Sequence, residues 1–315
     1  MDCDRNNKAD TFSTPLVSVI VTTKNEELHI RNCLKSIESQ NYPKEYIEII
    51  VIDNQSTDRT KEIAQNFTSL VLDKGPERSA QRNFGITSIS KGEYALFLDA
   101  DMILAPNLIQ ACVQTIQQNK SVALHIPEII LGNNFWGKVR RFERRFYDGT
   151  VVDGVRFFRI DDFKKVGGFD ESLCGPEDWD LDKKLKQLGN IGLVSYQPSI
   201  DWNHKIWSQS NFISKMGVDP SEYGGVIFHN ESQFNLRTYL KKKDYYSRSI
   251  KRYVEKWGED DPDIQKQLGL GYRFFWVFLE RGKWKMLLAQ PHLTFGMYFL
   301  RFLVGLSFLM RTSHE

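Results

Sequence analysis

Asp99 and Asp101 stand two residues apart at the end of the apolar run YALFLDA (94–100). In a strand, residues i and i+2 point to the same face. Two carboxylates on one face at a strand end repel each other, a cost that a cation relieves. Magnesium and manganese prefer such oxygen ligands and often share them with substrate phosphates. The pair therefore predicts a Mn2+ or Mg2+ site, although D-x-D also occurs as ordinary loop acids. Asp53 closes the run IIVI (49–52) and is placed to accept a hydrogen bond from a base or ribose, or to precede a helix cap. In ERSAQRNFG (77–85), Arg82 and Asn83 are placed to reach phosphate or ribose, or to lie on a surface helix. Glu177 and Asp178 follow Gly175-Pro176 at a helix start, where the dipole favours ionised carboxylates. That suits a base that must be charged at neutral pH, though acidic first turns are common.

The elements that position these residues follow from periodicity. VSVIVTT (17–23) is a continuous β-branched run, the mark of a strand buried on both faces. Further strands are expected at 46–53, 70–72 and 94–100, with helices from Asn25, from Ser56–Asp58, over 76–88 and over 105–118. Asn25 reads as the N-cap of the first helix, with Glu26 and Glu27 at its positive end. This alternation predicts an α/β fold with a doubly wound, mostly parallel sheet. In such sheets ligands bind beyond the carboxyl ends of the strands. Strand one ends on TTKNE (22–26), strand two on DNQS (53–56) and strand four on DAD (99–101). Three polar clusters thus converge on one edge, which core packing alone does not require.

Beyond residue 120 the pattern changes. SVALHIPEIIL (121–131) predicts a strand of mixed orientation, and 134–147 a helix. That helix carries Lys138, Arg140, Arg141, Arg144 and Arg145 on one side, either as a solvated face or toward a phosphate-bearing or lipid-linked acceptor. Residues 152–160 read as extended, and a helix from Pro176 carries Leu181, Leu185 and Leu188. Residues 195–227 lack clear periodicity and read as loop or insertion; helices are expected from 234 on. The polar stretch 1–15 predicts a disordered lead-in without a secretory signal. The domain division is 1–15 lead-in, 16–232 catalytic domain and 233–315 a C-terminal helical, partly apolar extension. LTFGMYFLRFLVGLSFLM (293–310) has one charge, Arg301, and is borderline in length for a span. Its alternatives are a membrane-surface helix, a buried or oligomer-forming helix and a true span; membrane contact is expected over 272–310.

The 315 residues carry 42 basic and 40 acidic side chains, a net charge of +2 that gives no argument for nucleic-acid binding. The four cysteines are widely spaced, which fits a reducing cytoplasm without zinc or redox pairs. A peripheral position at the cytoplasmic face of the membrane is the expected localisation.

The ordered set VSVIVTTKNEE, VIDNQSTDRT, ERSAQRNFG, LFLDADM, GGFDE (167–171) and GPEDWDL (175–181) resembles glycosyltransferase family 2, with its GT-A, Rossmann-like fold. The resemblance covers about residues 15–195, and six motifs in order and spacing make it specific. It implies an inverting, metal-dependent sugar transfer from a UDP-, GDP- or dTDP-sugar to a glycan or lipid-linked acceptor. By it, Thr22, Asn25, Glu26 and Asp53 would hold the nucleoside, with Arg82 and Asn83 nearby. Asp99 would contact ribose or metal and Asp101 would ligate the metal. Asp178 would be the general base, with Glu177 binding the acceptor or positioning that base. IFHNESQFNLRTYLKKKDYY (227–246) is similar to a segment of some bacterial and archaeal members, which makes His229 a candidate third metal ligand, with His204 competing. Asn54 stands where the family usually has a second acid. The absence of Q-x-x-R-W implies single addition over processive polymerisation. Two other classes remain: a nucleotidyltransferase of related fold, which would normally carry a Gly-rich loop where this chain has TTKNEE, and a non-catalytic nucleotide-sugar binder.

Overall fold

The computed structural model describes residues 13–197, 208–247 and 249–312. Up to residue 119 the order is β1 (Val17–Thr23), α1 (Ile30–Glu38), β2 (Ile47–Asp53), α2 (Thr60–Ala64), β3 (Val71–Asp73), α3 (Arg78–Phe84), β4 (Tyr94–Asp99), β5 (Met102–Leu104) and α4 (Leu108–Asn119). Then follow β6 (Ala123–His125), β7 (Glu128–Leu131), α5 (Phe135–Arg144), β8 (Val155–Arg159), α6 (Ile160–Lys165), α7 (Glu177–Lys186) and β9 (Ile191–Leu193). Seven strands form one sheet in the order β3-β2-β1-β4-β8-β6-β9, mainly parallel, with β8 antiparallel to both neighbours. β1 is buried along its whole length, as a central strand covered on both faces must be. One core lies between the sheet and α1 and α4, the other between the sheet and α6 and α7.

The single strand expected over 121–131 is two. Pro127 breaks it, since proline has no N–H for a ladder. β6 joins the large sheet, and β7 joins a second sheet of order β5-β10-β7, with β10 at Ile227–Asn230. The stretch 195–227 is not all loop: it holds α8 (Ser208–Lys215) and the start of β10. His204 lies outside the described residues. The lead-in is partly ordered, because the buried Tyr42 hydroxyl donates to the Pro15 carbonyl at 2.6 Å and Gln117 donates to Ser13.

Two local expectations are corrected. Asn25 does not cap α1, which begins at Ile30. Asn25 adopts a left-handed conformation (φ 54°), and its side chain accepts from Thr57 N at 2.8 Å. Nor is the basic side of α5 a solvated face or a row of free cations. Arg140 pairs with Glu143 and Glu231, Arg144 pairs with Glu128, Asp148 and Asp153, and Arg141 donates to backbone carbonyls of residues 130, 132, 216 and 217. Only Lys138 and Arg145 of the five are exposed.

The C-terminal region is helical: α9 (Leu236–Ser247), α10 (Ile250–Trp257), α11 (Pro262–Leu268), a wide turn at Tyr272–Trp276 running into α12 (Val277–Leu279), α13 (Trp284–Ala289) and α14 (Pro291–Thr312). Phe278, Leu293 and Met297 share a buried cluster with Val139, Phe142 and Phe146 of α5 and its end. Arg301, which would be costly in lipid, is instead buried against α5, its Nε 2.9 Å from Glu143. Among the described residues, no helix is long and apolar enough to cross a membrane, so the true-span alternative is set aside.

Candidate active site

The carboxyl ends of β1, β2 and β4 open on a cleft of about 1020 Å³. Its floor and walls include Thr22, Glu26, Asn54, Asp99, Asp101, Glu177, Asp178 and His229, closed over by residues 230–246. Parallel register brings the strand ends level: Thr23 lies beside Asp53, and Thr22 beside Asp99. Thr22 Oγ1 donates to Asp99 Oδ1 at 3.2 Å. The loops after β1 and β2 lock together: Asn25 N donates to Ser56 Oγ, Glu26 N to Thr60 Oγ1 and Glu27 N to Asp58.

Asp99 and Asp178 are 79 residues apart in sequence and share one buried cation. Arg82, only 1% exposed, donates Nη2 to Asp99 Oδ1 and Nη1 to Asp178 Oδ1, both at 3.0 Å. Its guanidinium packs over Phe97, 4.4 Å from the ring centroid. A planar fork with several donors suits such a bridge, where lysine would be a single point charge. Arg78 adds a second cation, 3.3 Å from Glu177, 3.8 Å from Asp99 and 3.0 Å from the Tyr246 hydroxyl of α9. Burial by itself would raise the Asp99 carboxyl, but Arg82, Arg78 and Arg156 outweigh it and hold Asp99 far below the usual carboxylate range. Glu177 moves the other way: burial, and then the Asp178 charge, raise it. Glu177 also accepts from Gly175 N, which ties it to its own helix start. Gly154 leaves room for the neighbouring acid, since a Cβ there would come within 2.9 Å of Asp178 Cβ.

His229 reaches the site through β10. Antiparallel pairing sets His229 opposite Met102, and Asn230 N donates to the Asp101 carbonyl at 3.1 Å. His229 Nε2 lies 3.4 Å from Asp101 Oδ2, and Nδ1 3.6 Å from Glu128. Burial opposes its charged form, yet Asp101 and Glu128 prevail and push it up to about 10. Asp101 Oδ1 is buried without a hydrogen-bond partner. A carboxylate oxygen left so, beside an imidazole and level with Asp99, fits one side of an oxygen- and nitrogen-liganded cation. Among the described residues, no three His, Cys, Asp or Glu side chains are gathered as a ready cage. The remaining ligands of such an ion would be diphosphate oxygens and water.

Some expected residues are not in the cleft. Asp53 is fully buried and its carboxylate accepts from Ser56 N and Oγ, which shapes the loop after β2. Asn54, next to it, is the residue that lines the cleft. Asn83 is used up on the GGFDE loop, exchanging hydrogen bonds with the Phe169 backbone and donating to Glu171. Arg82 is a buried bridge and does not lie open to a phosphate. Sequence reasoning gave no role to Arg78, Arg156 and Glu128; the signal for Arg156 and Glu128 was charge inside apolar segments, and Arg78 lay unremarked in the polar ERSAQRNFG motif.

The sequence model of the family described as glycosyl transferase family 2 matches residues 18–171. Over that span the chain is similar to glycosyl transferase family 2. The matched segment holds β1 to β8 and α6, and so the Asp99–Arg82 side of the cleft; Asp178 and His229 lie beyond it. The chain is 39% identical over 113 residues to glycosyltransferase AglE of Haloferax volcanii, covering 34% of this chain and 37% of that one. It is 36% identical over 224 residues to the probable glycosyltransferase YdaM of Bacillus subtilis, covering 61% and 53%. It thus spans about two fifths to one half of the length of these curated relatives. The solved mannosyltransferase PcManGT from Pyrobaculum calidifontis, in complex with GDP-Man and Mn2+, superposes with a TM-score of 0.54 at 16% identity, covering 94% of this chain and 84% of that one. S. aureus TarS 1–349 in complex with UDP-GlcNAc gives 0.53 at 17%, covering 82% and 73%. At such identities these two show a shared GT-A fold and nothing beyond it.

Proposed function

We propose that this chain transfers one sugar from a nucleoside-diphosphate sugar to an acceptor hydroxyl, with inversion at the anomeric carbon. The observation that carries it is the Arg82 bridge, which holds Asp99 and Asp178 in one cleft at the carboxyl edge of the sheet. The nucleoside would lie over the ends of β1 and β2, between Thr22, Glu26 and Asn54, with Asp53 holding the loop that faces it. Asp178 would take the acceptor proton as its oxygen attacks. One base and no enzyme-bound intermediate suffice for a single inversion. Glu177, tied by Arg78, would position the acceptor beside that base. Asp101 and His229, with Asp99 behind them, would hold Mn2+ or Mg2+, which supplies charge to offset the leaving diphosphate. The GDP-Man in PcManGT and the UDP-GlcNAc in TarS support a nucleotide-sugar donor, which we take to be a UDP-, GDP- or dTDP-sugar, and the Mn2+ in PcManGT supports the metal.

The acceptor would be a glycan or lipid-linked hydroxyl in polysaccharide, glycolipid or cell-surface glycan synthesis. A Nostoc relative, 28% identical over 198 residues, is a beta-monoglucosyldiacylglycerol synthase, which supports the glycolipid case. We place the enzyme peripherally at the cytoplasmic face of the membrane, a reading supported by free cysteines at 33, 112 and 174 and by the exposed apolar C-terminal helices. Asp178→Asn is expected to lower kcat by at least about 100-fold with donor binding kept. Full turnover in that variant, measured with a competent acceptor, would remove Asp178 as the base.

A further inference from the structure

The outer face of α14 is apolar, and among the described residues nothing covers it. Its inward face is set by Leu293, Met297, Leu300 and Arg301, all buried. On the opposite side Phe295, Phe299, Phe302 and Leu306 recur at spacings of four, three and four, which makes one helical stripe. Phe295 is 74% and Phe302 58% exposed. On the preceding helix α13, Trp284 and Leu288 are also exposed, with Lys285 between them. The stripe runs on through Phe299, whose ring lies 6.3 Å from Trp136, to Phe234 beside the cleft. An apolar face of this extent on a soluble protein marks an interaction surface.

Charge selects the occupant. Residues 233–315 carry fifteen lysines and arginines against eight acids, so this region is basic while residues 1–232 are acidic on balance. Exposed Lys285 lies on α13, which bears part of the stripe, and exposed Arg237 and Lys241 lie on α9, which packs against α14. A second copy of the chain would bring two such basic faces together at a two-fold axis, which like charges oppose. An anionic lipid surface satisfies both features: aromatic and leucine side chains enter the acyl boundary while cations meet the headgroups. We infer that α13 and α14 dock flat on an anionic lipid bilayer through Trp284, Leu288, Phe295, Phe299, Phe302 and Leu306. No crossing is involved, which agrees with the absence of a spanning helix among the described residues. The inference deepens the peripheral placement above and rests on that reading, not on sugar transfer. Because the stripe adjoins Phe234 at the cleft, docking would present the cleft mouth to a headgroup or lipid-linked hydroxyl.

The test is co-sedimentation of the full chain with vesicles of phosphatidylcholine alone or with one quarter phosphatidylglycerol. The expected result is binding at least tenfold tighter to the anionic vesicles, weakened by salt. Phe295→Ser with Phe302→Ser should reduce it at least tenfold, and Lys241→Glu with Lys285→Glu should abolish the preference for anionic lipid. Both variants should keep the wild-type melting shift with nucleotide, which shows an intact fold and separates this inference from donor chemistry. Equal vesicle binding by wild type and the Phe variant, or none by either, would overturn it. So would a wild-type dimer in light scattering that the Phe substitutions disperse, because the stripe would then be a subunit interface.

Discussion

At the residue scale the site rests on Arg82, whose two nitrogens each hold a carboxylate at 3.0 Å. Removing one member of a buried ion network strands the others and costs about 3–5 kcal/mol. Arg82→Lys keeps the charge and loses the fork. It is expected to lower kcat by about tenfold or more with a smaller change in donor KM, because the base swings while the donor loops stay fixed. Steady-state kinetics with unchanged kcat in that variant would show that the bridge does not position Asp178. Asp148 offers a pH prediction at the same scale. Burial, and then Asp153, raise it to about 6 despite Arg144 at 3.3 Å. A carboxyl that is raised on folding adds stability at low pH and loses it as pH climbs from about 4 through 6. The loss is about 3 kcal/mol at most. Asp148→Asn avoids it, so its melting point should gain on wild type between pH 4 and 7; a pH-independent difference would contradict this. The pairing of Arg82 with Asp178 was hidden in the sequence, because 96 residues separate them and nothing local links them. That each lies in a polar motif at the start of a helix was visible.

At the element scale, β1, β2 and β4 could be read directly, because strands buried on both faces show as unbroken β-branched or apolar runs. β5 and β10 could not: three or four residues carry too little periodicity, and their pairing joins positions 102–104 to 227–229. Asn25 is ambiguous in sequence for a physical reason. The short amide that favours an N-cap also favours the left-handed turn it occupies here. In α14, Arg301 breaks an apolar run, and composition alone does not tell a surface helix from a docked one. In the structure Arg301 meets Glu143 on α5, 2.9 Å away, so that face of α14 is anchored to the protein. Arg301→Ala should therefore destabilise the fold by about 3 kcal/mol or more in denaturant unfolding, since Glu143 would lose a buried partner. A change under about 0.5 kcal/mol would mean that α14 is not anchored there.

At the scale of the whole molecule, two sheets meet where the chemistry is expected. The large sheet delivers Thr22, Asp53 and Asp99 at one edge, and the small sheet swings His229 back onto Asp101 from a segment 128 residues later. The C-terminal helices then close the cleft with residues 230–246 and present an apolar, basic exterior. The doubly wound sheet and its binding edge followed from alternation and strand ends; the closing helices followed only as helices, since what they cover depends on contacts far apart in sequence. The central claim is a donor cleft that needs both Asp101 and a divalent cation. It is tested most directly by melting the wild type and Asp101→Ala with UDP, GDP, dTDP or CMP, each with and without Mn2+ or Mg2+. The expected result is a metal-dependent rise with one nucleotide in the wild type, lost in the variant. No rise with any nucleotide, or an equal rise in Asp101→Ala, would contradict it.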